Sequence, residues 1–334
     1  MNDNNTETKT ETKYSFKPKK ITKKEMDEIT KEIDKSLEEF IKEGKYKDVL
    51  ISMGNLGHYS LNNQIYIIMQ KPDAITTYGM KKWNALGRHI KPGEKSIKIF
   101  TPIIKKIEEK DKNDENKVNT KYALTGFQRG YVFDISQTEG KEIDTFRFDE
   151  NKLVEDKTKI LEGLRKTISD AGFSVSYASK EELGDGCYGL CNHNTHEIKI
   201  LEGMSDLQEI STTVHECGHA LAHSAYREDF EGLTVNEKRE IKEVEAESIA
   251  CIVCTYLGFD TKNFNFSYIT GWANGDISKF RKNIDVISKH ANNLIKGIEK
   301  EFVIEKAIEE KSKEENPIPI NIQNKNNSRE VVME

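Results

Sequence analysis

The stretch STTVHECGHALAHS, residues 211–224, constrains the structure of this chain more than any other segment. It places His215 and His219 four residues apart, with Glu216 directly after the first histidine. Residues at i and i+4 lie on the same face of a helix, so both imidazoles can reach one point in space. An H-E-x-x-H helix of this kind is typical of a zinc site completed by a third ligand from elsewhere. The alternative is an ordinary helix that happens to carry histidines.

The third ligand is predicted on the following helix, in the segment EIKEVEAESIACIVC. A third histidine at the position used by longer H-E-x-x-H-x-x-G-x-x-H motifs is missing, because Ser224 and Ala225 stand there. A glutamate beside an apolar helix face is costly unless a cation neutralises it, and Glu243 lies one turn before the apolar stripe of this helix. We therefore predict Glu243 as the third ligand and Glu247 as a hydrogen-bond acceptor that orients a ligating histidine. The stripe consists of Ala246, Ile249, Ala250 and Val253.

Two nearby polar residues are predicted to lie outside the site. His223 follows His219 by one turn and is interpreted as a helix-surface residue. Glu245 is rotated about 200° from Glu243, at 100° per residue, and is predicted to be solvated. The alternative for all these carboxylates is a solvated acidic face.

One zinc ion per chain, held by two imidazoles and one carboxylate, would keep a net positive charge and lower the pKa of a water molecule. Glu216 would accept the proton of that water as general base and pass it to the leaving amine, which predicts peptide hydrolysis. Tyr188, on the preceding hairpin, is the candidate donor to the transition-state oxyanion. The hairpin is also a candidate edge for pairing an extended peptide substrate.

A rival metal site is a structural zinc site in the hairpin CYGLCNHNTHEIKI. Its four candidate ligands are Cys187, Cys191, His193 and His196. Strand alternation puts the two cysteines on one face but leaves the histidines in the turn, which disfavours this site. Cys251 and Cys254 lie on the apolar stripe of a helix and are predicted to be core residues.

Composition excludes several other classes of protein. No apolar run approaches the roughly 20 residues of a membrane helix, and the polar N-terminus has no signal-peptide core. Five cysteines without dense spacing fit a reducing compartment, so the prediction is a soluble cytoplasmic protein without a membrane partner. The net charge is −6, yet residues 71–106 carry nine Lys/Arg against two Asp/Glu, which suggests a local anionic partner.

The basic segment and its aromatic residues are typical of single-stranded nucleic-acid binding, in which bases stack on aromatic rings. The alternative is that Trp83 is a core residue and the lysines form a solvated face. Tyr66 is a further stacking candidate. The candidate DNA-binding residues are Asn63, Lys81, Lys82, Trp83, Arg88, Lys91, Lys95, Lys98, Phe127 and Tyr131.

Segments of this sequence resemble two known protein families. TTVHECGHALAH, followed about 24 residues later by EVEAESIACIV, resembles the ImmA/IrrE-type zinc metallopeptidases, and the resemblance assigns the ligands and the catalytic acid/base to the residues named above. Residues 59–103 and YVFDISQTEG resemble the N-terminal ssDNA-binding domain of ArdC-type antirestriction proteins, and SYITGWANG is similar to the end of that family. The resemblance implies ssDNA binding, protection of mobile DNA from restriction, and a peptidase domain without a firmly assigned substrate.

The predicted fold class is α+β: a small α+β ssDNA-binding domain at 21–148, then a mainly helical, zincin-like metallopeptidase domain at 152–310 with a small β-sheet. Residues 1–20 and 311–334 are polar and are predicted to be disordered. The charged segment 105–121 is interpreted as a surface loop between strands. Two alternative functions remain open at this point: a non-catalytic DNA-protecting protein with structural zinc, and a regulatory protease that cleaves a mobile-element repressor.

Overall fold

The computed structural model describes residues 19–110, 118–143, 153–223, 227–261, 264, 266 and 277–302. The predicted disordered ends, apart from Lys19 and Lys20, lie outside these residues, as do residues 149–151 between the two predicted domains and the segment SYITGWANG. Among the residues described, no helix combines the length and hydropathy that crossing a bilayer requires.

The first half of the chain is a helical layer against small antiparallel sheets. A capping box between Thr22 and Glu25 starts the first helix. The elements are α1 (Lys23–Lys42), α2 (Tyr46–Asn55), α3 (Leu61–Gln70), β1 (Thr77–Tyr78), α4 (Met80–Ala85), β2 (Arg88–Ile90), β3 (Ile97–Lys110), β4 (Val118–Asp134) and β5 (Thr138–Gly140). Strands β1, β4 and β3 form one sheet in that order, and β2 pairs with β5.

The interpretation of residues 105–121 as a surface loop is wrong for most of that segment. Strand β3 continues to Lys110 and β4 starts at Val118, and the two pair in register out to this end. Only residues 111–117 of the predicted loop lie outside the described part of the chain. A long two-stranded arm can carry many charges because both of its faces can be solvated, and this masks the alternation that identifies a half-buried strand.

The second half is mainly helical with one small sheet. Its elements are α5 (Leu153–Asp170), β6 (Ser174–Ala178), α6 (Lys180–Leu183), β7 (Gly189–Asn192), β8 (Glu197–Leu201), α7 (Asp206–His223), α8 (Val235–Tyr256) and α9 (Ile277–Glu301). The sheet has the order β6-β8-β7, with β6 and β8 parallel and β7 and β8 forming the predicted antiparallel hairpin. The molecule is thus an α+β protein, as the sequence predicts.

One apolar cluster extends through both halves. It includes Leu37 of α1, Leu50 of α2, Ile65 of α3, Val214 of α7 and Ile249 of α8, together with residues of α5 and α9. A smaller cluster lies between α3 and the first sheet. The helices that carry the predicted metal ligands are therefore part of the same core as the N-terminal helices.

Candidate metal site and nucleic-acid surface

Helices α7 and α8 pack face to face and carry the candidate metal ligands. Thr234 and Glu237 form a capping box that starts α8. On α7, Val214 and Cys217 are fully buried, and the backbone at Gly218 lies close to α8, since an added Cβ would be 3.2 Å from the Cα of Ala246. This close packing brings the histidine-bearing side of α7 next to the acidic residues of α8.

The three predicted ligands converge. The Nε2 atoms of His215 and His219 are 3.1 Å apart, and the Glu243 Oε2 atom lies 3.6 Å from the first and 3.5 Å from the second. Ligand atoms at about 2.0–2.1 Å from a tetrahedral zinc ion are about 3.3–3.4 Å from one another, so the observed triangle has the size that one zinc ion requires. Within the described residues, this triad is the only group of three or more His, Cys, Asp or Glu side chains arranged to hold a metal ion.

The site is open on one side and negative in character. The Glu243 side chain is 53% exposed, which leaves room for a further ligand beside it. Hydrogen bonds with His215 and His219 hold the pKa of Glu243 well below its usual range. Burial lowers the pKa of His215, but hydrogen bonds to Glu243 and Glu247 outweigh this effect and raise the pKa to about 10. Such a concentration of negative charge around imidazoles favours a cation.

Glu247 takes the position predicted for it. Its Oε2 atom is 3.1 Å from the Nδ1 atom of His215, which is the ring nitrogen that faces away from Glu243. A carboxylate there fixes the ring orientation and the tautomer of a ligating histidine. The geometry agrees with the predicted role, which stays a prediction until metal binding is measured.

Glu216 is buried beside the triad and next to strand β7. Its side chain lies against Gly189, where an added Cβ would come within 2.8 Å of the Glu216 Cγ and Oε1 atoms. Burial raises the pKa of Glu216, while the histidines nearby and a hydrogen bond from the Cys191 backbone act in the opposite direction. A carboxyl group placed and perturbed in this way is suited to proton transfer.

The predictions for His223 and Glu245 are wrong. Both side chains are fully buried, and the Nε2 atom of His223 is 3.0 Å from the Glu245 Oε2 atom. Helical rotation correctly separates Glu245 from Glu243, but α8 also packs on α2 and α9, so the side away from Glu243 is not solvent. Arg227, 2.5 Å from the same carboxylate oxygen, supplies the neutralising charge. The four-residue spacing from His215 to His219 continues to His223, and this spacing is the sequence signal that His223 lies on the same helix face as the two predicted ligands.

The rival cysteine–histidine site is not assembled among the described residues. Cys191 and His193 approach within 3.9 Å, but the Cys187 thiol donates to the Gly189 carbonyl instead. His196 is in the turn, with a positive φ of 53°, and its ring packs edge-on against Phe173. Tyr188 lies just before β7 and is half exposed, and its role as an oxyanion donor stays a prediction.

Two of the residues predicted to bind DNA are core residues. Trp83 is fully buried and its Nε1 donates to the Phe133 carbonyl, so its ring cannot stack on a base. Asn63 is also buried, and its amide makes two hydrogen bonds with the backbone of Phe100. Tyr66 stacks on Phe100, and Phe127 packs against the main apolar cluster. The burial of Trp83 favours its core interpretation, whereas Tyr66 and Phe127 are partly buried and their stacking roles stay predictions.

Other predicted DNA-binding residues remain on the surface. Lys98 on β3 lies directly opposite Tyr131 on β4, so a cation and a 37% exposed ring share one face of the sheet. Arg88 is fixed by hydrogen bonds to Thr138 and to the backbone of Lys141, and Lys91 donates to the Ser136 carbonyl. The remaining candidates, all exposed, are Lys81, Lys82 and Lys95; of these, Lys82 lies over the ring of Tyr78.

Comparison with known proteins identifies the first part of the chain. Residues 19–133 match the family model of the N-terminal domain of anti-restriction factor ArdC. This region therefore belongs to the antirestriction class of domains. More particularly, it is an ArdC-type N-terminal domain, and the resemblance drawn from the sequence is confirmed there. The likeness of the second half to ImmA/IrrE-type peptidases stays a prediction.

Longer matches cover both halves of the chain. An uncharacterized protein of Bacillus anthracis, pXO2-81, is 28% identical over an alignment of 348 residues that covers 92% of this chain. The chain spans only 57% of the length of that relative. The metal-free crystal structure of the antirestriction protein ArdC from plasmid R388 covers 73% of this chain and 84% of its own, with 15% identity and a TM-score of 0.38. The Mn(II)-bound form covers 72% and 85%, with 17% identity and a TM-score of 0.39.

Proposed function

We propose that this chain is an ArdC-like antirestriction protein that binds single-stranded DNA and holds one zinc ion at His215, His219 and Glu243. The observation that carries the metal part is the triangle of ligand atoms, 3.1–3.6 Å on each side, between two packed helices. Two imidazoles and one carboxylate with an open fourth position are the donor set of catalytic zinc sites of the His₂Glu type.

The proposed reaction is peptide hydrolysis. When bound, zinc would lower the pKa of a water molecule and polarise the scissile carbonyl. Glu216 would accept the proton of the attacking water and deliver it to the leaving amine. The Cys191 backbone N–H holds the Glu216 carboxylate in place. Strand β7 is the outer strand of its sheet and could pair with an extended peptide beside Glu216.

The openness of the site favours catalysis over a purely structural zinc ion. Structural zinc sites are closed by four protein ligands, whereas the described residues supply three, and Glu243 is half exposed. A DNA-protecting protein that uses zinc only to brace the fold, and a protease that cleaves a mobile-element repressor, are outcomes that the following experiments separate.

Elemental analysis of three proteins tests the metal and the reaction separately. Wild-type protein is expected to carry about one zinc ion per chain. Glu243→Gln should lose the zinc ion, while Glu216→Gln should keep it and lose peptide hydrolysis by a factor of about 10² or more. Zinc retained in the Glu243→Gln variant would exclude the proposed ligand set. Hydrolysis that persists in the Glu216→Gln variant would remove Glu216 from the mechanism. Full protection of DNA in cells by Glu216→Gln would favour a non-catalytic protector.

Binding of an unstructured DNA oligonucleotide tests the surface around Lys98 and Tyr131. Lys98→Ala should reduce the slope of log affinity against log salt by about 1, because one phosphate contact is lost. Tyr131→Ala should cost about 1–3 kcal/mol of binding free energy at unchanged salt slope, because stacking carries no charge. Lys180→Ala, an exposed lysine of α6 in the second half, is the matched control and should bind as wild type does. Wild-type affinity in both sheet variants would exclude this surface.

A further inference from the structure

The third histidine on α7 continues the line of the two proposed ligands. His215, His219 and His223 are spaced by four residues, and neighbouring rings in the series are 4.8 and 5.2 Å apart. His223 does not reach the triad with its own nitrogen. Instead, its Nδ1 atom lies 3.2 Å from the Nδ1 atom of His219, on the side of that ring that faces away from Glu243. His223 therefore contacts the proposed ligand His219 at Nδ1, the ring nitrogen that does not face the metal site.

The positions of the hydrogen atoms follow from metal binding. When the Nε2 lone pair of His219 is given to a metal ion, the proton of that ring must be on Nδ1. The Nδ1–H group of His219 then donates to Nδ1 of His223, which must be the acceptor. The proton of His223 is consequently on Nε2, where it donates to the Glu245 carboxylate at 3.0 Å. One tautomer of each ring satisfies the whole series of hydrogen bonds.

The far end of this series is buried and neutralised. The side chains of His223 and Glu245 have no solvent exposure. Arg227 pairs with Glu245 at 2.5 Å, and its other terminal nitrogen donates to Asn283 of α9 at 3.0 Å. A buried carboxylate with a buried imidazole and a guanidinium is a rigid acceptor that water cannot replace. The surrounding helices therefore fix the position of Glu245, and through His223 that of His219.

We propose that His223, Glu245 and Arg227 form a buried brace that holds His219 in its metal-binding orientation and tautomer. The inference rests on the proposed function, because it requires a metal ion on Nε2 of His219. His215 has a simpler support, the direct hydrogen bond to Glu247. The Glu247 side chain is 35% exposed, so water can substitute for it. Loss of the brace should therefore lower zinc affinity more than loss of Glu247.

Zinc affinity, measured by competition with a chelating dye, tests the brace. His223→Phe keeps a ring of similar size but offers no acceptor to His219, and zinc affinity should fall about 10–100-fold. His223→Asn places an amide oxygen near the former Nδ1 position and should recover part of that loss. Glu247→Gln, the matched control on the other ligand, should lose less than His223→Phe does. The thermal midpoint of each metal-free variant checks that it is folded.

Histidine tautomers in zinc-loaded wild-type protein give a second test that needs no variant. Long-range ¹H–¹⁵N correlation spectra should show His219 protonated on Nδ1 and His223 neutral with its proton on Nε2. A His223 ring protonated on Nδ1, or wild-type zinc affinity in a folded His223→Phe variant, would overturn the brace and leave the zinc site intact. Wild-type protein that binds no zinc would instead overturn the proposed function and the brace together.

Discussion

Single residues of the proposed metal site illustrate which contacts a sequence can reveal. The proposed ligands His215, His219 and Glu243 follow from local spacing and from the cost of a carboxylate beside an apolar stripe. The burial of Glu245 could not be predicted, because a helical wheel gives the direction of a side chain but not what packs against it in that direction. Arg227 pairs with Glu245 and also donates to Asn283, which is distant from His223 in the sequence. Only the tertiary structure brings such groups together.

His290 gives a pH-dependent prediction. It lies on α9 with its Nδ1 atom buried and without a hydrogen-bond partner among the described residues. Burial, with smaller contributions from Lys289, His223 and Arg227, lowers the pKa of His290 to about 4. The unfolded chain takes up this proton near pH 6.5, so the free energy of unfolding should fall as the pH drops from about 6.5 to 4 and then level off.

Replacing His290 with Gln should make that fall smaller. Partial exposure of the ring reduces the expected difference to about 1–2 kcal/mol. Urea unfolding of the metal-free wild-type and variant proteins at both ends of the pH window measures it. Part of the pH dependence should survive in the variant, because burial also lowers the pKa of His223, to about 2. Equal pH dependence in the two proteins would show that His290 is not held neutral.

Secondary-structure elements were predicted best where one face alone is apolar. The periodicity of α1, α5, α7, α8 and α9 and the hairpin of β7 and β8 could be read from the sequence. The helix α2 is not predicted from the sequence, because six of its ten residues are buried and its polar side is too narrow to define a period. The short strands β1, β2 and β5 have two or three residues each, too few to show alternation. The pairing of β6 with β8 is parallel and depends on a long connection that no local pattern encodes.

The contact between α2 and α8 allows a prediction at Gly54. A Cβ added there would lie 2.6 Å from the Ile252 carbonyl oxygen and 2.7 Å from the Thr255 Cβ. Gly54→Ala must therefore push the helices apart, which costs about 1–3 kcal/mol. The higher helix propensity of alanine offsets up to about 1 kcal/mol of this loss. A lower midpoint in urea unfolding is the expected result.

Gly57→Ala is the matched control. Its added Cβ would meet the flexible end of the Ile295 side chain at 3.1 Å, which can move aside. We expect the stability of this variant to stay within about 0.5 kcal/mol of wild type. If Gly54→Ala is no less stable than Gly57→Ala, α2 does not pack on α8 as closely as described.

The whole molecule joins a confirmed ArdC-type region to a proposed metallopeptidase half through one core. The sequence predicts a boundary between 148 and 152, and the family match ends at residue 133. The main apolar cluster nevertheless includes α1, α2 and α3 together with α8 and α9. Arg281 of α9 also bonds to Asp34 of α1 and Asn62 of α3. The predicted boundary therefore does not separate the packing of the two halves, because one apolar cluster includes helices from both.

Metal binding in one half should consequently stabilise the other. Helix α3 contributes Ile65 to the main cluster and Ile67 and Ile68 to the smaller cluster of the first half, so unfolding of the two clusters should be coupled. Trp83 reports on the first half once the second tryptophan, Trp272, is replaced with Phe. Zinc at about 100 times its dissociation constant should then raise the free energy of unfolding seen by Trp83 by about 2.7 kcal/mol. Glu243→Gln in the same background should show no shift, and a first half that unfolds independently would show none in either protein.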